Sequence, residues 1–294
     1  MMSTTTSSFR GWRSMQALRA ARAVWVLATL LAPKLAEGQT PNPRPFGVGE
    51  RLVFVVSTAR SNKIGEAVMT LSGPIDVRGT QAVLSSFDTN IRVAMMKASN
   101  NSKSWFDAGD MTSLRFTKRA RRPFSSQDDS VEVFPDRHRW ESAHDVTGPV
   151  GSDHPLDELS FIYFLRTTFF EPDSTYSFER HYDVRRSPTT IRVVKHETLQ
   201  TRAGKFETTE LEMRVKDGAE YKGDGVLHIW ISDDACRLPV RIESAMPLLG
   251  VGILTLDSAV TPSCGAVEPQ PTTMQFRDPG HLSPRLLYLR EFRS

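Results

Sequence analysis

Gly225-Val-Leu-His-Ile-Trp-Ile-Ser-Asp-Asp-Ala-Cys-Arg-Leu-Pro-Val-Arg-Ile-Glu-Ser244 reads as two alternating strands joined by a polar turn. Leu227, Ile229 and Ile231 share one face of the first strand, and Leu238, Val240 and Ile242 one face of the second. Period-two alternation on both sides of a turn is the pattern of an antiparallel hairpin with one face on a core. Val226, His228 and Trp230 occupy the opposite face, which is therefore not plain solvent surface. The hairpin specifies a β architecture and carries no reaction.

The same pattern recurs on both sides. Leu52, Phe54 and Val56 alternate with Arg51, Val53 and Val55, and a strand from Ile64 to Leu71 is expected to end at Gly73-Pro74. Gln81–Phe87 and Ile91–Ala98 are further strand candidates, although Ile91–Lys97 also fits a helical turn. Trp105-Phe106-Asp107, a turn, and Leu114–Thr117 follow. Beyond residue 172, strands are expected at Tyr176–Arg185, Thr190–Leu199, Phe206–Val215 and Gly250–Val260. Several of these exceed the usual 5–6 residues, roughly, of a strand, which suggests a strongly curved meander.

One helix interrupts the strands. Asp157 is placed to cap the free N–H groups of a helix running through Phe170, and Pro172 disfavours its continuation. Apolar residues surround it, so it should be buried against the sheet as a plug. Ser160 and Tyr163 admit a catalytic reading, but each has a simpler role in local hydrogen bonding.

The chain begins with Arg10, Arg13, Arg19 and Arg22, an apolar run from Ala23 to Ala32, and Ala36-Glu37-Gly38, the order of a secretory signal. The run is about half the roughly 20 residues of a membrane span. Cleavage before Gln39 leaves 32 Lys/Arg against 33 Asp/Glu, a net charge of −1 in place of +3. That removes the main support for nucleic-acid binding. The expected organisation is a signal peptide at 1–38, a flexible lead-in at 39–45, one β-rich domain at 46–264, and a poorly ordered proline-containing tail at 265–294. The fold class is mainly β: a strongly curved antiparallel sheet, an open or partly closed barrel, with the helix as its plug.

Lys118-Arg119-Ala120-Arg121-Arg122 is a dense basic cluster. It admits a patch for lipid headgroups or polysaccharide, or a solvated strand edge that discourages aggregation, the simpler reading. Residues 124–155 are polar and weakly periodic, and the spacings of His138, His144 and His154 match no zinc pattern. No Gly-x-Ser-x-Gly, Walker loop, His-Glu-x-x-His or dinucleotide fingerprint is present. No cofactor is therefore expected, and no enzyme activity is assigned.

Phe46-Gly47-Val48-Gly49-Glu50, Trp105-Phe106-Asp107 with Leu114-Arg115-Phe116, Asp157 through Arg166, and Ile229 through Asp234 with Arg237-Leu238-Pro239-Val240 together resemble the bacterial exported family catalogued as domain of unknown function 3108. The resemblance spans about residues 46–258 and departs at Glu158, where a proline is more usual. It implies a mostly antiparallel envelope protein without an established activity. Asp157, Ser160, Trp230, Asp234 and Pro239 are the motif positions, and they read as structural. The function expected is a non-enzymatic binding or carrier module for lipid or another apolar or amphipathic ligand. The alternative is a structural protein whose partner is another envelope protein.

Cys236 and Cys264 are the two cysteines of the chain, and an oxidising compartment would permit them to pair. Each adjoins an end of the strands that a turn near Met246–Gly250 would bring together. A sequence separation of 28 corresponds to roughly 3–4 kcal/mol of stabilisation in the chain-entropy picture. Thiol titration of the unfolded, unreduced monomer should find none. Two free thiols per chain would exclude the bridge, and a reducible dimer would show pairing between chains.

Overall fold

The structure is a computed structural model and describes residues 44–216, 226–246, 250–262 and 265–267. The expected signal, most of the lead-in and the tail beyond residue 267 lie outside these residues, as does Cys264, so the Cys236–Cys264 bridge remains a proposal.

The first run of strands is β1 (Arg51–Thr58), β2 (Ser61–Val77), β3 (Thr80–Val93), β4 (Met96–Asp107), β5 (Ser113–Arg122), β6 (Ser125–Phe134), β7 (Arg139–Ser142) and β8 (Thr147–Pro149). After helix α1 (Glu158–Thr167) come β9 (Thr175–Phe178), β10 (Thr189–Thr201), β11 (Gly204–Val215), β12 (Val226–Ser232), β13 (Pro239–Met246), β14 (Gly250–Thr261) and β15 (Gly265–Val267). Each run is an antiparallel meander, and the pairing of β1 with β14 joins the two into one sheet ending at β8 and β9. The sheet is mostly β, strongly curved and open, with one α-helix among the described residues.

Alternation produces this arrangement. Leu52, Phe54 and Val56 on β1, Ile229 and Ile231 on β12, Val240 and Ile242 on β13, and Leu254 and Leu256 on β14 turn inward into one core. The expected hairpin forms, with β12 and β13 in register from Leu227↔Ser244 to Trp230↔Arg241 and a bulge before Ile231↔Pro239. Trp230 is buried on the outer face, where its Nε1 donates to Glu197 Oε1 at 2.7 Å and Arg241 lies over its ring. Long charged side chains thus cover the second face.

Several boundaries differ from those expected. β2 continues to Val77 through Gly73-Pro74, because a bulge between Ser72 and Ile75 takes the proline out of the ladder. Ile91–Ala98 is neither one strand nor a helical turn, since the β3–β4 turn passes through Ala94 and Met95. Residues 125–149, within the stretch that read as polar and weakly periodic and offered no strand, supply β6, β7 and β8. β9 covers only Thr175–Phe178, and the chain then crosses to bridge His181 to Leu156 before a short 3-10 turn at Val184–Arg186. β15 pairs with β14, so the ladder extends past residue 264. Gly65 permits the β2–β3 approach, since a Cβ there would stand 2.0 Å from the Asn90 carbonyl oxygen.

The helix closes one end of the barrel. Asp157 Oδ1 accepts from the Leu159 and Ser160 backbone N–H groups, and Ser160 Oγ accepts from Asp157 N–H, a reciprocal capping box. Helix α1 stops at Thr167, three residues short of the expected Phe170, with Thr168 already extended. Arg166 and Arg237 hold that C-terminus. Arg166 meets Glu50 through two bonds of 2.6 and 2.8 Å, both side chains being 0% exposed, and donates through Nε to the Arg237 carbonyl at 2.9 Å. Arg237 returns the contact, donating to the carbonyls of Leu165, Arg166 and Thr168. Cationic side chains on the last helical carbonyls satisfy groups the helix leaves open and suit its dipole.

Removing one partner of a dry ion pair strands the other charge. Arg166→Met should therefore lower unfolding free energy by about 3–5 kcal/mol, read as a lower urea midpoint. Adding Glu50→Leu should recover part of that loss, and no recovery would mean the pair is not what links helix to sheet.

Candidate functional site

The antiparallel order fixes what lies at each end of the cup. The turns after β1, β3 and β5 fall at one end, whereas Glu50, the β4–β5 turn at Ala108–Thr112 and the β12–β13 turn fall at the other, beside the helix. Between helix and turns is a cavity of about 750 Å³. Leu159, Phe161 and Ile162 form its floor. Ile91 and Ala98 stand on one wall, Ile242 and Leu254 on the other. It reaches Met96, Lys97, Arg122 and Phe124 at the turn end, which is its mouth.

The basic cluster contributes to this wall. β5 is not an edge strand, since it pairs with β4 and β6 along its whole length. Alternation divides the cluster: Arg119 and Arg121 face outward and pair with Asp128, while Lys118, Ala120 and Arg122 line the cavity. Lys118 lies between Ser102 and Asp129 in register. Asn100, Ser102 and Gln127 also line this side, so one wall is polar and the opposite wall apolar.

A second polar group sits where the helix begins. Asp157 Oδ2 accepts from Ser104 Oγ at 2.6 Å and Ser113 Oγ at 2.5 Å, besides its cap bonds. Burial outweighs these bonds and pushes the carboxyl up to about 6. Glu158, the departure from the family pattern, pairs with Arg186 at 3.2 Å. His181 is buried beside them, and its Nδ1 accepts from the Asp183 N–H at 3.0 Å, which places the proton on Nε2. Burial first, then Arg186, push this imidazole down to about 4.

The remaining motif residues set the β12–β13 turn. Asp234 Oδ1 accepts from Ser232 Oγ and from the N–H groups of Cys236 and Arg237, and Pro239 opens β13. Asp233 instead accepts from Thr209 Oγ1, so the two adjacent carboxylates serve different partners. Asp157 and Ser160 meet at the helix start, where Asp157 touches the cavity edge, whereas Ser160, Trp230, Asp234 and Pro239 are not part of its lining. His181 and Arg186 were not singled out by the sequence reading, whereas the basic cluster was, without the division of its members between the two faces of β5. For Lys118 and Arg122 the signal was present, because both share a face with Phe116. The described residues hold no cluster of three or more His, Cys, Asp or Glu arranged for a metal, and no helix long and apolar enough to cross a membrane.

The raised Asp157 value has a defined consequence. Its folded pKa lies above the ordinary carboxylate value, so its contribution is complete below about pH 4 and is lost as pH rises through about 6. That amounts to about 3 kcal/mol at 1.36 kcal/mol per unit. Asp157→Asn, which keeps a capping oxygen, should gain urea stability relative to the parent between pH 4 and 7. His181 acts in the opposite direction in both proteins and cancels in the difference. A difference independent of pH would refute the shift.

Comparison with known proteins places the chain. It matches no curated protein. Among solved structures it is similar to a β-barrel-like protein of domain of unknown function 1849 from Brucella abortus, at 10% identity, TM-score 0.45, covering 70% of this chain and 94% of that one. It is also similar to a protein with a YmcC-like fold from Bacteroides fragilis, at 14% identity, TM-score 0.28, covering 73% and 97%. The family described as protein of unknown function DUF3108 matches residues 53–257. The chain therefore belongs to DUF3108.

Proposed function

We propose that the chain is an exported, non-enzymatic binding or carrier module for an amphipathic ligand with a long apolar part. The observation that carries this reading is the open cavity of about 750 Å³. That size falls within the roughly 300–1,000 Å³ of small-molecule sites. An apolar wall of Leu227, Ile242 and Leu254 faces a polar wall of Asn100, Lys118 and Gln127, so a molecule with both characters is matched better than a pure hydrocarbon. Export rests on the basic, apolar and small-residue regions of residues 1–38.

Native mass spectrometry of protein purified from its own envelope should find a bound lipid-sized mass, and the emptied protein should take up a fluorescent apolar probe. Ala98→Trp and Ala120→Trp point bulk into the cavity from β4 and β5 and should reduce both by ten-fold or more. Probe uptake unchanged in both variants, or absent from the parent, would eliminate the cavity as the binding site.

A further inference from the structure

We propose that the mouth of the cup docks onto a membrane surface carrying anionic lipid, with the β3–β4 and β5–β6 turns as the inserted elements. Among the described residues, eight large hydrophobic side chains are exposed, and four of them, Met95, Met96, Phe124 and Val251, lie at this end. Met95 is 98% exposed and Phe124 87%, so neither serves the core. The ladders place them at one level. Ser99↔Arg121 carries Met96 outward to the height of Phe124, and Thr58↔Gly252 sets Val251 beside the β1–β2 turn.

On the β1–β2, β3–β4 and β5–β6 turns and the strand ends beside them, charge has one sign. Arg60 stands on the β1–β2 turn and Lys63, Arg92, Lys97 and Arg122 at the strand ends beside these turns, and none makes an ion pair among the described residues. Residues 58–65, 91–101, 119–127 and 250–252 contain no Asp or Glu. Apolar side chains projecting from turns and flanked by unpaired basic groups suit a bilayer interface, where the rings and thioethers enter and the cations meet headgroups. The exposed apolar side chains stand on separate elements with basic residues between them, unlike the charge-depleted core of a protein interface. Docked this way, the cavity would open directly onto the lipid. The docking goes beyond the carrier reading and can be tested apart from it.

The test compares the processed chain, purified from an exporting host, with two double variants, Met95→Ser with Phe124→Ser and Lys97→Gln with Arg122→Gln. Met95 and Phe124 lie exposed on turns and Lys97 and Arg122 at exposed strand ends of the mouth, so both variants should leave the urea midpoint unchanged. The parent should sediment with vesicles of phosphatidylethanolamine and phosphatidylglycerol, less with phosphatidylcholine alone, and less as salt is raised. Each basic side chain is worth about a five-fold factor at an anionic surface, so the charge variant should bind about thirty-fold more weakly. The serine variant should lose about ten-fold or more. A parent that stays in the supernatant overturns the docking, as do variants that sediment like the parent. Protein that takes up the apolar probe yet ignores vesicles loses the docking and keeps the carrier reading. Vesicle binding without probe uptake does the reverse.

Discussion

Arg166 and Glu50 meet across 116 residues of sequence in a place without water, and the arrangement of the cup depends on that meeting. A guanidinium in such a site needs every donor occupied, and here the carboxylate, the Arg237 carbonyl and the Pro45 carbonyl all receive it. Three separate parts of the chain are thereby fixed to one side chain: the entry to β1, the end of the helix and the β12–β13 turn. Arg237 reciprocates from that turn, so helix and hairpin each complete the other's hydrogen bonding. Phe46 and Tyr163 pack edge-to-face beside the pair, supplying the apolar surroundings that make it dry.

Anchoring the helix at its C-terminal end explains how a cavity survives in a protein with so much apolar sequence. The lower part of the barrel is filled by Phe54, Phe106, Tyr163 and Leu165. Above the helix the opposing walls have no element between them, and the facing residues become smaller and more polar, as Ala98, Ala120, Asn100 and Ser102 show. Outside, buried acids such as Glu210 and Glu212 are matched by His228, Arg192 and Arg214, which gives the sheet a second, ionic layer over its hydrogen-bond ladder.

What could be read in advance followed the dry parts of the molecule. The β12–β13 hairpin, β1, β14 and the helix cap all have one face against core, so apolar and polar residues alternate plainly there. β6 was missed because its first half is polar on both faces, with Ser125 and Gln127 toward a cavity with polar lining, and only Val131 and Val133 near its end display apolar contrast. The β3–β4 turn was missed because it is made from Ala94 and Met95 rather than the usual glycine or asparagine, with Ala94 at a φ of 51°. The polar corner joins Glu158 at the helix start to His181 and Arg186 of the β9–β10 connection, and no spacing rule links the two segments.

The pairing of β1 with β14 also sets an order of events. All the other long ladders join neighbours in sequence and can close as soon as a hairpin is complete, whereas Arg51–Thr58 waits for Gly252–Val260, about two hundred residues later. A chain emerging N-terminus first would therefore hold β1 as a bare sheet edge, with Leu52, Phe54 and Val56 uncovered on one face, until nearly all of it had been delivered. During that interval the first eight strands are a template for any extended segment nearby, including another copy of themselves. Misassociation before folding is complete would centre on this seam, and the last long strand to arrive is the one that covers it.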